Sequence, residues 1–169
     1  GLQHDAHEYL TFVLDALEAC GDGVSKALDD LFGGELERSI RCDRCGARSA
    51  TTEHFVELAL RLDEAAKATS VEDLLAAYFA EEKLTGDDRF DCGSCGQRCD
   101  ATRRCRLARA PKYLVLALSR FRYDFVSKSR RKLHQHVDVR ERVEVDAAPH
   151  RRGLDVPYAA RLPGGQVWR

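Results

Sequence analysis

Two short cysteine segments constrain the fold more than any other feature of this chain. They are Cys42-Asp-Arg-Cys45 and Cys92-Gly-Ser-Cys95, and a glycine follows each directly. Two residues between thiolates let one tight turn direct both sulfurs at one ion, and the glycine supplies the backbone freedom that such a turn needs. Two turns complete a tetrahedral four-sulfur shell without an open position, whereas unrelated redox pairs are the lesser alternative. The pattern predicts one structural zinc ion, Zn2+, held by Cys42, Cys45, Cys92 and Cys95.

Folded structure must fill the 46 residues between the two cysteine pairs, because the spacer of a simple zinc ribbon is much shorter. Residues 53–62 alternate between apolar and polar side chains, which predicts a half-buried strand. Ser70 and Asp73 then form the N-cap pattern of a helix, and residues 86–88 supply a turn after it. The apolar face of this helix consists of Leu74, Leu75, Tyr78 and Phe79. We therefore expect the cysteine pairs to meet across an inserted strand and helix.

The composition fits a single domain in a reducing compartment. The 169 residues are enough for one core, and seven cysteines, an odd number, argue against a disulfide scaffold. Cys20, Cys99 and Cys105, which the metal does not use, are interpreted as small buried apolar residues. The net charge of −1 favours no class of partner, and no apolar run is long enough to span a membrane. These observations predict a protein of the cytoplasm or the nucleus that binds neither nucleic acid nor a membrane.

The first segment of the chain predicts an amphipathic helix over residues 5–20. Its apolar stripe consists of Leu10, Val13, Leu14 and Leu17. Asp5 and Glu8 lie three residues apart at the start of this helix, where they fit an N-cap with its capping-box partner. The two carboxylates would also share one face and could receive a cationic ligand, so both interpretations stay open.

Residues 110–124 predict a strand that follows a proline. The six mostly aliphatic residues 113–118 indicate a central strand buried on both faces. A later strand is predicted from valines at positions 137, 139, 143 and 145. The basic residues between 128 and 136 are interpreted as a solvated loop, because acidic residues balance their charge and no aromatic platform lies among them.

Several blocks of the sequence together resemble one enzyme family. Gln3-His4-Asp5-Ala6-His7-Glu8-Tyr9-Leu10 resembles the Gln-Gln-Asp-Ala-x-Glu-Phe-Leu helix of the ubiquitin-specific proteases, the papain-like family of deubiquitinating cysteine proteases. Residues 31–60 are similar to the start of that family's fingers region, and residues 82–95 are similar to its return strand. Residues 116–121 are similar to the strand that ends in the family's Leu-Lys-Arg-Phe. The order and spacing of these blocks are kept up to about residue 146.

The resemblance implies an α+β fold of the papain-like cysteine protease superfamily. This fold would comprise partial thumb helices with the helix at 5–20, zinc-ribbon fingers at about 36–108 and the first palm strands, in an antiparallel sheet, at about 112–146. Residues 147–169 match no element of the family. The resemblance also implies that Gln3, His4, Asp5 and Glu8 bind ubiquitin, with the two carboxylates pairing with arginines of the ubiquitin tail.

The resemblance places the catalytic residues outside this chain. The family's nucleophile belongs to a Gly-Asn-Thr-Cys-type box upstream and its base to a Gly-His-Tyr box downstream, and residues 1–169 contain neither box. His150 does not match the Gly-His-Tyr box, because Arg151-Arg152-Gly153 follow it. Cys20 is rejected as the nucleophile because a helix C-terminus disfavours a thiolate. The chain also lacks methionine and begins at Gly1, so we interpret it as a piece of a longer protein.

Three functions remain open at this point. The leading one is a fragment of a deubiquitinating enzyme, which hydrolyses isopeptide or peptide bonds at the C-terminal glycine of ubiquitin, with ubiquitin or ubiquitinated proteins as partners. The second is a catalytically dead zinc module that binds ubiquitin. The third is a zinc-ribbon module for nucleic acid or for protein scaffolding.

Overall fold

The computed structural model describes residues 6–62, 68–124 and 128–140. Within these ranges the chain forms three α-helices and twelve β-strands. In chain order they are α1 (Ala6–Glu18), α2 (Asp22–Phe32), β1 (Gly34–Cys42), β2 (Arg48–Phe55), β3 (Glu57–Arg61), β4 (Ala68–Ser70), α3 (Val71–Phe79), β5 (Glu82–Leu84), β6 (Phe90–Cys92), β7 (Gln97–Cys99), β8 (Ala101–Arg109), β9 (Val115–Ser119), β10 (Phe121–Asp124), β11 (Ser129–Lys132) and β12 (His136–Asp138).

The largest sheet is antiparallel and has the strand order β2-β1-β8-β5. The interior strand β1 pairs with β2 from Gly34 to Arg41, and Cys42 at its end lies opposite Ala101 of β8. Exposed ion pairs connect neighbouring strands, such as Arg38 with Glu53 at 2.5 Å. Ion pairs of this kind contribute little individually, so the sheet depends mainly on its backbone ladder and its buried face. Helices together with an antiparallel sheet confirm the mixed α and β class expected from the sequence.

The other strands form four two-stranded pairs. β6 with β7 and β10 with β11 are antiparallel hairpins, whereas β3 with β9 and β4 with β12 are parallel. The expectation that the strands after residue 112 all belong to an antiparallel sheet is therefore wrong for β9 and β12. Parallel partners must come from distant parts of the chain, because a parallel pair needs a crossover connection.

Helix α3 begins where the sequence predicts it. Ser70 is its N-cap, with the Asp73 backbone N–H donating to Ser70 Oγ at 3.1 Å and the Ser70 N–H donating to Asp73 Oδ2 at 3.0 Å. This reciprocal pair is a capping box, which satisfies two of the free N–H groups at the helix start. The helix buries Val71, Leu74 and Leu75, so the predicted apolar face is the one that meets the core.

The main core lies between α3, β3 and β8. Leu58, Leu60 and Leu62 are at most 1% exposed, which confirms the alternation predicted for this part of the chain. Further buried members are Leu36, Val71, Leu74, Leu75, Cys105, Leu107, Leu133 and Val137. Burial of these side chains from distant segments provides most of the stabilisation that is available to a domain of this size.

Two predicted strands differ from the structure. Residues 53–62 form two strands and not one, because the chain bends at Val56, leaves β1 as its partner and pairs next with β9. The strand predicted at 113–118 is β9, and its residues are half-buried instead of fully buried. In the part of the chain that the structure describes, β9 pairs with β3 alone, so its other edge has no partner strand. Val139 is exposed beyond β12, and the predicted strand positions 143 and 145 lie outside the described residues.

Candidate functional site

The four paired cysteines come together at one end of the four-stranded sheet. Cys42 ends β1 and Cys92 ends β6, while Cys45 and Cys95 lie in the turns that follow these strands. Their four Sγ atoms all lie within 4.8 Å of one another. The prediction that the two pairs meet across an inserted strand and helix is confirmed.

Each pair sits in a tight turn that a glycine completes. Gly46 has a φ of 75° and Gly96 a φ of 65°, a left-handed conformation that favours glycine. The Gly46 N–H donates to the Cys42 carbonyl at 2.9 Å, and the Gly96 N–H donates to the Cys92 carbonyl at 2.9 Å. The two turns thus have the same hydrogen bond and the same backbone conformation. This repetition explains why the sequence repeats Cys-x-x-Cys-Gly.

The spacing of the sulfurs fits a four-coordinate metal. Cys42 Sγ lies 4.0 Å from Cys95 Sγ, and Cys45 Sγ lies 3.6 Å from Cys92 Sγ. A tetrahedral zinc ion with Zn–S bonds of about 2.3 Å needs sulfurs about 3.8 Å apart, so both distances agree with it. The donors are all thiols, which suit zinc better than magnesium or calcium. The four cysteines can therefore hold a metal ion with no coordination position left for a substrate.

The electrostatics of the cluster also favour a bound cation. Hydrogen bonds from the backbone N–H groups of Cys45 and Arg44 lower the pKa of Cys42 to about 6. Hydrogen bonding to Cys45 and the other thiols, together with burial, raises the pKa of Cys95 well above its usual value. Four adjacent thiolates repel one another, so the cluster can be fully ionised only around a positive ion.

Polar contacts fix the first cysteine turn on the sheet. Lys83 Nζ lies 3.0 Å from Asp43 Oδ2, and the Thr102 hydroxyl donates to Asp43 Oδ1 at 2.9 Å. The hydrogen bond from Lys83 is the main reason why the pKa of Asp43 lies below its usual value. The Asp43 N–H also donates to the Asp100 carbonyl at 2.9 Å, which ties the turn to the segment after β7. These contacts hold the turn that carries Cys42 and Cys45 against the sheet.

The structure describes only one of the four residues implied to bind ubiquitin. Gln3, His4 and Asp5 lie outside the described residues, so the predicted pair of carboxylates is not tested. Glu8 lies in the first turn of α1 with its side chain exposed. The neighbouring His7 places Nδ1 3.0 Å from Glu57 Oε2, which connects α1 to β3. Helix α1 covers residues 6–18, slightly less than the predicted 5–20, and its predicted apolar stripe leaves Leu10 and Leu17 exposed.

The three remaining cysteines differ from one another. Cys105 is buried in the main core, as predicted, but Cys20 is exposed after the end of α1, so its predicted burial is wrong. Cys99 is 6% exposed and packs against the metal-binding thiols, not against the main core. The sequence predicted that Cys99 is buried but not that it packs against the metal-binding cysteines. Its position four residues after Cys95 was the signal that could have indicated this packing.

No helix in the described ranges combines the length and the hydropathy that a membrane crossing requires.

Comparison with known proteins adds to this geometry. Residues 1–159 match the family described as ubiquitin carboxyl-terminal hydrolase. The chain is 32% identical over 180 residues to ubiquitin carboxyl-terminal hydrolase 36 of Drosophila ananassae, an alignment that covers 99% of this chain and 15% of that protein. It is 35% identical over 127 residues to ubiquitin carboxyl-terminal hydrolase 26 of Arabidopsis thaliana, covering 71% of this chain and 12% of that protein. The chain thus spans less than a fifth of the length of these relatives.

A solved structure shares the fold. It is the SAGA Ubp8/Sgf11/Sus1/Sgf73 DUB module bound to ubiquitin aldehyde, with a TM-score of 0.72 and 24% sequence identity. The similarity covers 89% of this chain and 34% of the other.

Proposed function

Because the chain belongs to the ubiquitin carboxyl-terminal hydrolase family, we propose that it is part of a deubiquitinating enzyme. The reaction is hydrolysis of isopeptide or peptide bonds at the C-terminal glycine of ubiquitin. In this family a cysteine thiolate attacks the carbonyl of that glycine, and water resolves the acyl-enzyme. The observation that carries the proposal is the family match over residues 1–159. The motifs of α1, the cysteine pairs and β9 lie within this match and agree with it.

The role proposed for this segment is to bind ubiquitin and to hold a structural zinc ion. The solved neighbour is described as bound to ubiquitin aldehyde, which supports ubiquitin or ubiquitinated proteins as partners. Residues at about 36–108 correspond to the fingers that hold the body of ubiquitin, and those at about 112–146 to the first palm strands. Four thiolates leave a zinc ion no open coordination position for catalysis, so its role would be structural. Zinc at Cys42, Cys45, Cys92 and Cys95 would hold the tips of the fingers together. A reducing compartment, the cytoplasm or the nucleus, would keep these cysteines reduced and available to the metal.

The described cysteines favour a second candidate for the chain taken by itself, which is ubiquitin binding without cleavage. Four of the thiols form the metal cluster, and Cys99 and Cys105 are buried. Cys20 is exposed, but its thiol donates a hydrogen bond of 3.3 Å to the Ala16 carbonyl at the end of α1. A catalytic thiol would therefore come from residues outside this chain.

A pair of matched substitutions tests the ubiquitin-binding role of α1. Glu8→Gln removes a carboxylate from the first turn, whereas Glu18→Gln makes the same change at the other end of the same helix. A charge-assisted hydrogen bond contributes about 1.5–3 kcal/mol, so Glu8→Gln in the intact protein should weaken ubiquitin binding by roughly 10- to 150-fold. Asp5→Asn should behave similarly, because asparagine still caps a helix without the charge. The measurement is the Kd for ubiquitin alongside Tm.

A double-mutant cycle separates tail recognition from helix capping. Neutralising the ubiquitin tail arginines should reduce the effect of Glu8→Gln, since the two changes remove the same interaction. Additive effects, or equal Kd values for the Glu8 and Glu18 variants, would leave Asp5 and Glu8 as helix caps only.

An activity assay tests whether the chain by itself lacks hydrolytic activity. The 169-residue chain should release no fluorophore from a ubiquitin-fluorophore substrate, and a reactive ubiquitin probe should not label Cys20. The intact protein should turn over the same substrate. Turnover by the chain that depends on Cys20 would refute the proposed division, and an intact protein that binds ubiquitin without turnover would support the second candidate.

A further inference from the structure

The hairpin of β10 and β11 concentrates positive charge. Of the residues in its two four-residue strands, one is acidic, Asp124, and four are basic: Arg122, Arg130, Arg131 and Lys132. The chain as a whole has a net charge of −1, so this positive charge is local. The basic segment that the sequence indicated as a solvated loop therefore includes a paired strand, β11.

The strand pairing brings two aromatic rings among these basic residues. Phe121 lies opposite Lys132 in the antiparallel register, and Tyr123 lies opposite Arg130. Opposite residues, and residues two positions apart on one strand, share a face of the hairpin. Lys132 Nζ lies 5.6 Å from the centroid of the Phe121 ring, and Phe121 and Tyr123 are 40% and 52% exposed. Strand β10 thus supplies the aromatic platform that residues 128–136 lack.

A cavity adjoins the hairpin at the start of β10. Its volume is about 270 Å³, and it is lined by Arg61, Ser119, Phe121 and Arg122. Arg61 and Ser119 lie opposite each other at the ends of the parallel strands β3 and β9. The Arg122 guanidinium donates to the Leu62 carbonyl at 2.7 Å, which fixes its position beside the cavity. Two guanidinium groups and a hydroxyl at one cavity are well suited to bind a phosphate group.

We propose that this surface binds single-stranded nucleic acid. The surface consists of Arg61, Phe121, Arg122, Tyr123 and Lys132. A base stacks on the Tyr123 ring, while Lys132 and the two arginines of the cavity contact phosphates. Exposed aromatic rings and cations are the two elements of such sites, because every base has a face for stacking and the backbone carries a charge at every nucleotide. An acidic peptide offers charges without bases, so it fits only the cations.

This binding goes beyond the proposed function, and variants of the intact protein test it. Fluorescence anisotropy with a labelled oligouridine of about 12 nucleotides measures the Kd, since single-strand sites span about 4–16 nucleotides. Tyr123→Ala should weaken binding roughly 5- to 150-fold, because it removes one stacked ring, whereas Tyr123→Phe should bind like the wild type. Tyr9→Ala is the matched control, because Tyr9 is a 68% exposed tyrosine on α1. Equal affinities of the two alanine variants would overturn the proposal.

The salt dependence of binding tests the phosphate contacts without relying on the tyrosine variants. Each lost contact should reduce the slope of log K against log salt concentration by about 0.7 for a single strand. Arg61→Gln and Lys132→Gln should each show this reduction. Lys26→Gln should keep the wild-type slope, because it removes the same charge from an exposed lysine on α2. A wild-type slope in both Arg61→Gln and Lys132→Gln would overturn the proposal.

Three competitors identify what the surface recognises. Oligothymidine of the same length compares DNA with RNA, and the tighter of the two strands is the preferred ligand. An abasic oligodeoxynucleotide of that length has every phosphate but no base, so it should bind at least about fivefold more weakly than oligothymidine. Polyglutamate of equal charge should also compete more weakly than either strand. Equal competition by the abasic strand or by polyglutamate would show a site for charge alone and overturn the proposal.

Discussion

Replacing Ser70 with alanine should remove the capping box at the start of α3. Three hydrogen bonds join Ser70 and Asp73, and alanine removes the two that use Ser70 Oγ, at 3.1 Å to the Asp73 N–H and at 2.7 Å to Asp73 Oδ2. Loss of an N-cap of this kind costs about 1–2 kcal/mol of unfolding free energy. The effect reaches the core, because the first turns of α3 bury Val71, Leu74 and Leu75.

The effect of Ser70→Ala should also depend on pH. Hydrogen bonding from Ser70 is the main reason why the pKa of Asp73 lies below its usual value. A carboxyl whose pKa is lower in the folded state than in the unfolded state stabilises the fold. This stabilisation is complete above the unfolded-state pKa of about 3.9, and it is lost as the pH falls through the folded-state pKa. The difference between wild type and variant should therefore be largest at neutral pH and decrease in acid.

Thermal unfolding followed by circular dichroism, at pH 7 and at steps into acid, measures this difference. The loss at pH 7 corresponds to a Tm lower by about 2–8 °C for a chain of this length. Ser49→Ala is the matched control, because Ser49 is exposed on β2. The reasoning is refuted if Ser70→Ala stays within about 0.5 kcal/mol of that control, or if its effect is the same at every pH.

Two further predictions concern the metal turns and the core. Cys92→Ser should abolish metal binding and increase hydrogen exchange at residues 42–46 and 92–96 more than in α1, because metal binding stabilises the local fold. Elemental analysis measures the bound metal, and mass spectrometry measures the exchange. Cys105→Ser is the control, and equal exchange in the two variants would contradict the prediction. Leu60→Ala should lower the unfolding free energy by about 2–5 kcal/mol, because Leu60 is 0% exposed. Urea denaturation measures this loss. The control is Val139→Ala, whose unfolding free energy should stay close to that of the wild type because Val139 is 52% exposed. Similar losses in both variants would contradict the predicted core.

The parts of the fold that short sequence patterns encode were predictable. The cysteine turns depend on two thiols and one glycine within five residues, and the start of α3 depends on Ser70 and Asp73. The alternation after Val56 is confirmed by the complete burial of Leu58 and Leu60. Each of these signals works within a few residues, where spacing alone defines the geometry.

The features that depend on distant partners were not predictable from local patterns. Helix α2 has no buried residue, and its position depends on contacts with Tyr113, whose N–H donates to the Leu31 carbonyl at 2.8 Å and whose ring lies 5.9 Å from that of Phe32. The bend at Val56 marks a change of partner strand, which a period of two residues does not reveal. Cys99 packs against Cys42 and Cys92 because β7 pairs with β6, and the spacing of the two cysteine pairs does not reveal this pairing.

The central place of β1 in its sheet has a consequence for synthesis of the protein. The ribosome releases β1 and β2 one directly after the other, but β8, the other neighbour of β1, follows much later, since Asp43 and its hydrogen-bonded partner Thr102 are 59 positions apart. At about 5–20 residues per second, one edge of β1 waits roughly 3–12 seconds for β8. A hairpin forms in about 1–10 μs, so β1 and β2 can pair long before that edge is covered. The nascent chain thus exposes an open strand edge next to two unliganded thiols, and faster elongation should shorten the period in which it can aggregate.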